Sequence, residues 1–273
     1  MRRRLSNFFL ILMLVAGLSL VLYPSFSDWW NSMHQSRAIA SYSEAVKKID
    51  PAIYEEARAA ARDYNSTLLG KKNRFFMPDE EREIYNQLLN LTQNGIMGVI
   101  EIPSIGVEMP LYHGTSEGVL QVAIGHIEGS SLPVGGPSTH CAVSGHRGLP
   151  SARLFTDLDK LQLGDTFTLT VLEEILTYQI DQILIVKPHE LDGLDIIEGE
   201  DHCTMVTCTP YGINTHRMLV RGTRIETILE KAPVRVTADA LRIDPLFVAI
   251  ALGVPMVLLF VLCVALGNPK KEE

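Results

Sequence analysis

The stretch "CTMVTCTPYGINTHR", residues 203–217, decides how the rest of the chain is read. It is a β-rich run that stops at Pro210-Tyr211-Gly212 and resumes at Arg217. Cys208 closes the first run, and four chemistries are open to it: structural thiol, metal ligand, half of a disulfide, or nucleophile. A free cysteine is usually a small buried hydrophobe. Here the turn ends the run at once, so the thiol stands at a strand terminus beside a loop. If the two runs pair as a hairpin, Arg217 comes to lie near Cys208, and a cation there favours thiolate over thiol.

Working outward, the same texture extends from Gly95. "GVIEIPSIGVEMPLYHG", "THCAVSGH", "DTFTLTVL", "LTYQIDQILIV" and "RMLVRGTRIE" are short β-type runs separated by Pro and Gly turns. Short strands with turn signals between them indicate a closed sheet or barrel, here over residues 96–226. Before it, residues 31–95 read as helical. "RAIASYSEAVKKI" and "AIYEEARAAARDYN" carry helix-spaced apolar residues, and Asp50-Pro51 is a helix start. "LLGKKNRFFMP" breaks the pattern, and "DEEREIYNQLLNLTQ" resumes it with acidic residues in the first turn, which suits the helix dipole.

Both ends are apolar. Residues 1–30 begin with Arg2 to Arg4, continue as an uncharged run from Phe8 to Tyr23, and end at the interfacial pair Trp29-Trp30. A bilayer span takes about 20 residues, so the segment predicts an anchor, with a cleaved signal peptide as the rival reading. Residues 245–267 form a second predicted span, followed by a 268–273 tail with Lys270-Lys271, and 227–244 read as a linker. Positive charge at both ends predicts cytoplasmic termini and an extracellular middle. The net charge is −8 with no long basic run in the middle, which argues against nucleic acid as a partner.

Outside the membrane, disulfides are permitted, and three cysteines fall there: Cys141, Cys203 and Cys208. Cys203 and Cys208 are an odd number of residues apart, so on a regular strand they face opposite sides. A disulfide of Cys141 with Cys208 requires their strands to be neighbours. Histidine is the usual proton carrier beside a thiolate. His146 in "AVSGHRG", His126 in "AIGHIEG" and His216 next to Arg217 are the candidates, and spacing does not choose among them. His140, Cys141, His146, His202, Cys203 and Cys208 supply metal-type donors, but no C-x-x-C or H-x-x-x-H spacing organises them.

"TMVTCTPYGINTHR" resembles the sortase signature, a Thr-Leu-x-Thr-Cys run followed by an arginine about nine residues on. Together with "LTVL", "GHRGLPSARLFTDLDKL" and "HIEGSSLPVGG", it is similar to the class C, or pilin-polymerising, sortases of Gram-positive bacteria. The resemblance covers about residues 96–226. It implies a mainly β fold, an eight-stranded barrel with N-terminal helices, flanked here by two transmembrane helices. It implies Cys208 as nucleophile, His146 as catalytic histidine and Arg217 as the group that steadies the oxyanion or positions substrate. Thr207 matches the motif's second threonine and is implied to lie at the substrate. Met205 replaces the usual leucine, a mild change for a core position.

The implied reaction cuts an LPxTG-type sorting signal between Thr and Gly through a thioacyl-enzyme. The acyl group passes to a lysine of another pilin subunit, and no metal or organic cofactor is needed. One departure stands out. Class C enzymes carry a lid with an Asp-Pro-aromatic tripeptide, whereas here Asp50-Pro51 precedes Ala52 and Asp244-Pro245 precedes Leu246. "RFFMPDE", residues 74–80, lies where a lid would be. Either Phe75 or Phe76 enters the cleft, or the Phe-Phe-Met cluster packs the helices on the barrel. A housekeeping sortase acting on a cell-wall precursor, and a silent membrane-bound binding module, are the alternatives.

Overall fold

The computed structural model describes residues 2–227 and, beyond them, Gly253. The expected linker, second span and cytoplasmic tail, and Cys263, lie outside the described residues. Residues 23–227 form one compact unit.

Eight strands close a barrel in the order β1-β2-β3-β4-β7-β8-β6-β5. They are β1 (Ile96–Ile102), β2 (Val107–His113), β3 (Ile124–His126), β4 (Thr139–Ser144), β5 (Thr166–Val171), β6 (Glu174–Val186), β7 (Asp201–Thr209) and β8 (His216–Ile225). β5 closes the barrel on β1. Closure leaves no open sheet edge. Two pairings are parallel, β2 with β3 and β4 with β7, and the rest are antiparallel. The expected strand runs are all present. β3, only three residues long, was too short to read as a strand in the sequence.

Alternation along the strands separates two faces. On β4, Cys141 and Val143 join the interior core, and on β7 Cys203 and Met205 do, with Phe155, Phe167 and Tyr178 among their neighbours. The intervening Ala142 and Val206 belong to a separate outer cluster with Leu194 and Leu219.

Three helices of eight residues or more precede the barrel. α1 runs from Arg2 to Val46 with Pro24 inside it, so the helix expected near residue 36 is the continuation of one that begins at the N-terminus. Its apolar part is the one described helix long and apolar enough to cross a membrane. From Asp28 onward α1 is tied to the barrel unit. Asn31 Nδ2 donates to Ser151 O, Gln35 Nε2 donates to Val122 O, and Tyr42 and Val46 are buried. The Tyr42 hydroxyl donates to Met97 O and accepts from Leu172 N, which joins α1 to β1 and the end of β5.

α2 (Pro51–Ser66) starts as the sequence indicates: Asp50 Oδ1 caps it by accepting from Ala52 N. α3 (Asp79–Gln87) opens with three acidic residues and ends earlier than its apolar pattern suggested, at Leu88. Between α2 and α3, residues 67–78 are irregular. Met77 from this segment packs with Tyr42, Tyr54 and Tyr85 into the cluster that joins the helices to the barrel.

Candidate active site

The hairpin inferred around Pro210 forms. β7 and β8 pair antiparallel, with Cys208 opposite Arg217 and Thr209 opposite His216. Directly opposite residues share a face, so the thiol and the guanidinium project the same way. The expected opposition of the two β7 cysteines also holds. Cys203 is fully buried in the barrel, while Cys208 is partly exposed on the outer face that carries Val206.

His146 follows the parallel neighbour of β7. β4 pairs with β7 up to Ser144 opposite Val206. Beyond that rung Gly145 N donates to Val206 O at 3.1 Å, and the Thr207 hydroxyl donates to Gly145 O at 2.8 Å. Two residues further, Arg147 Nη1 donates to Thr209 Oγ1 at 3.2 Å. His146 therefore lies between two fastened positions, at the level of Cys208 between its own two. Ala142 lies on the outer face, while Gly145 faces inward, where an added Cβ would meet Ile124 and Phe155 at 2.6 and 2.7 Å.

The other histidines lie elsewhere. His126 is completely buried, with Nδ1 2.9 Å from the Tyr85 hydroxyl and Nε2 2.9 Å from Ser131 O. His216 pairs with Thr209, one residue beyond Cys208, and its Nδ1 lies 2.9 Å from Thr215 Oγ1. His140 and His202 lie 5.5 Å apart with their rings tilted, and His140 Nδ1 is 2.8 Å from Asp195 O of the β6–β7 connection. Burial pushes His140 down to about 4 and lowers His202 as well. Among the described residues no three His, Cys, Asp or Glu side chains converge as a metal site requires.

Two sequence readings meet this register. Cys141 sits opposite Cys203, not Cys208, and both are inside the barrel while Cys208 is outside. Parallel register, not simple strand adjacency, fixes the partner, so a Cys141–Cys208 disulfide has no geometric basis. Thr207 is buried, and its hydroxyl is used on Gly145 O, so in this conformation it braces β4 against β7 instead of facing a substrate.

Beside Cys208 runs a groove of about 350 Å³, lined by Ser144, Val186, Val206, Arg217, Leu219 and Phe75 among others. Its walls are mainly apolar. Arg217 Nη1 is bonded to Asn214 O and His216 O. A larger cavity of about 620 Å³ lies at the far ends of β4 and β7, among Thr139, Asp201 and Arg62, and contains none of the candidate residues.

The Phe-Phe-Met cluster divides between the two readings given for it. Phe75 packs on Ala142, Leu194, Val206 and Leu219 in the groove, Phe76 is 81% exposed, and Met77 joins the helix–barrel cluster. Arg74 holds this arrangement. Its Nη2 donates to Leu194 O at 2.5 Å, and its guanidinium lies 4.6 Å from the Phe75 ring centre. Sequence reasoning missed Arg74, because nothing local signals a partner so far along the chain.

A sortase-domain family profile matches residues 100–225. The crystal structure of sortase C1 from Streptococcus agalactiae is 52% identical, with 70% of this chain and 98% of that chain covered and a TM-score of 0.67. Sortase C of Streptococcus pneumoniae, whose structure is described in terms of catalysis and pilin substrate specificity, is 42% identical over 70% of this chain and 97% of that one, with a TM-score of 0.62. Sortase A of Bacillus anthracis is 25% identical over 84% of this chain and 99% of its own length.

Proposed function

Because this chain belongs to the sortases, a family of cysteine transpeptidases, and stands with the class C enzymes among them, we propose that it polymerises pilin subunits. The substrate is an LPxTG-type sorting signal, bound along the groove beside Cys208. The Cys208 thiolate attacks the carbonyl carbon of the Thr–Gly bond. The tetrahedral oxyanion is held by Arg217, which faces the thiol across β7 and β8. His146 gives its proton to the departing glycine amine, the C–N bond breaks, and a thioester to Cys208 remains. A lysine amine of a second pilin subunit then attacks the thioester. It loses its proton to His146, and the thiolate leaves.

The observation that supports this reading most is the convergence of β4, β7 and β8. Cys208 stands opposite Arg217, His146 follows two residues after the last rung of β4 on β7, and Ser144, Val206 and Arg217 line an apolar groove next to them. Apolar walls suit the leucine and proline of the signal, and a partly exposed thiol suits a nucleophile better than a core residue.

In the proposed membrane arrangement, α1 anchors the chain and residues 245–267 form a second span. Both termini are then cytoplasmic, and the catalytic domain, residues 96–226, is extracellular. Residues 70–78 act as a lid, with Phe75 in the groove where the signal must lie. This lid reads Arg-Phe where an Asp-Pro-aromatic plug is usual, and Phe76 takes no part in it.

The test is to incubate the purified enzyme with a pilin and resolve the products on a denaturing gel. A covalent ladder, lost in Cys208→Ala together with thioester trapping, is expected. Monomeric hydrolysis product alone, with wall-peptide amines accepted instead, would move the protein to the housekeeping reading. Full assembly by Cys208→Ala would refute the nucleophile.

A further inference from the structure

A histidine that works beside a nucleophile is usually oriented by a third group bonded to its other nitrogen. Among the described residues no hydrogen bond holds the His146 imidazole, so its position depends on the backbone that carries it. That backbone is held at 145 by Val206 and Thr207, and at 146 by Phe155 N, which donates to His146 O at 3.1 Å. The third hold comes from the next side chain.

Arg147 is only 9% exposed in its side chain. Nη2 pairs with Asp159 Oδ2 at 2.5 Å, and Nη1 donates to Thr209 Oγ1 at 3.2 Å. The guanidinium also lies 6.0 Å from the Tyr211 ring centre, and its Nε is buried without a partner among the described residues. An ion pair with Asp159 alone could form at the surface, with no unpartnered donor. The fold instead draws the guanidinium inward to Thr209, the residue directly after Cys208. Gly148 continues the join: with φ of +78°, it lets the Tyr211 ring approach so closely that an added Cβ would lie 2.9 Å from it.

We propose that Arg147 is a positioning residue, which sets the separation of His146 and Cys208 by fastening the residue after one to the residue after the other. Thr207 on Gly145 is the matching brace on the near side. The inference rests on the His146–Cys208 pairing proposed above and adds what keeps that pair in register. The partners that carry this role are Asp159, Thr209 and Tyr211.

The experiment uses the detergent-solubilised full chain and four variants: Arg147→Met, Thr209→Val, the double variant, and His146→Ala. Displacement of a reacting group by about 1 Å costs on the order of 100-fold, so kcat for a fluorogenic LPxTG-type peptide should fall about 100-fold in Arg147→Met. In Thr209→Val it should fall about tenfold, since Asp159 still holds the guanidinium. KM should stay within about twofold in both, because the loss is in the chemical step and not in binding. The double variant should be no slower than Arg147→Met, as expected when two residues make one contact.

The rate of Cys208 alkylation by iodoacetamide reads the pair without any peptide. In Arg147→Met it should fall to that of His146→Ala, while Thr209→Val keeps the wild-type melting midpoint. Unchanged kcat in both single variants, multiplicative losses in the double variant, or alkylation indifferent to Arg147 would each overturn the proposal. If the wild-type enzyme leaves the peptide uncut, the sorting-signal reading fails, and the alkylation comparison still decides the role of Arg147.

Discussion

Arg74→Met should release the lid and speed cleavage of a peptide substrate. The gross interaction is worked from two contacts. A charged donor to a carbonyl, here Arg74 Nη2 to the buried Leu194 O, contributes about 1.5–3 kcal/mol. A guanidinium over an aromatic ring, here Phe75, adds about 1 kcal/mol. Against these stands the burial of Arg74, whose Nε has no partner among the described residues and whose pKa is lowered by desolvation. An unpaired buried donor costs about 1–3 kcal/mol, so the net hold is about 1.5 kcal/mol. Methionine keeps much of the stem's packing and removes the charge. The open fraction then rises about tenfold, and the initial rate with it while the closed form still dominates.

Two assays report on this: initial cleavage of a fluorogenic LPxTG-type peptide, and limited trypsin cleavage after Lys71 or Lys72. Both should accelerate. Gly129→Ala is an independent way to the same end, because its Cβ would collide with the Arg74 carbonyl and its φ of +84° disfavours alanine. If both variants fold and neither gains rate, Phe75 is not a barrier to substrate and the lid reasoning is refuted.

Gly145→Ala would press a methyl group against Ile124 and Phe155, at a cost of about 1–3 kcal/mol. The strain falls on the backbone that bonds Val206 and Thr207, so kcat should drop by more than the melting shift accounts for, as steady-state kinetics beside calorimetry will show. Asn65→Leu would leave Leu132 N–H, now bonded at 2.7 Å, without its partner, while Leu132 O keeps Val134 N at 2.8 Å. A loss of about 1–3 kcal/mol in urea unfolding is expected, with unchanged kcat per folded molecule. His140 has its folded pKa depressed to about 4, so its contribution is present above the usual 6.5 and is lost as pH falls towards 4. The full effect is about 3 kcal/mol, and His202 acts in the same direction. Urea midpoints measured at pH 7.5 and 5 should differ, and His140→Asn should flatten the difference.

Local patterns carried much of this protein. The turn at Pro210-Tyr211-Gly212 sits between two β-type runs, so the pairing of Cys208 with Arg217 needed nothing beyond a hairpin. The two-residue period of a strand turned Cys203 inward once Cys208 faced out. The Asp50 cap and the acidic first turn of α3 are equally local, since the partners lie within one helical turn.

What lies far apart along the chain was settled only by tertiary structure. His126, His146 and His216 all stand at strand ends, and no spacing separates them. The parallel pairing of β4 with β7 carries the chain leading to His146 alongside β7, and it forms because both strands bury one face in the same barrel. The same pairing sets Cys141 against Cys203. The lid segment is another case: Phe75, Phe76 and Met77 look alike in sequence, yet one enters the groove, one faces solvent and one joins the helices. The physical reason is one of range. Turn chemistry and side-chain periodicity act over a few residues and are written in them, whereas register between distant strands is chosen by which apolar faces can be buried together, a property of the closed barrel as a whole.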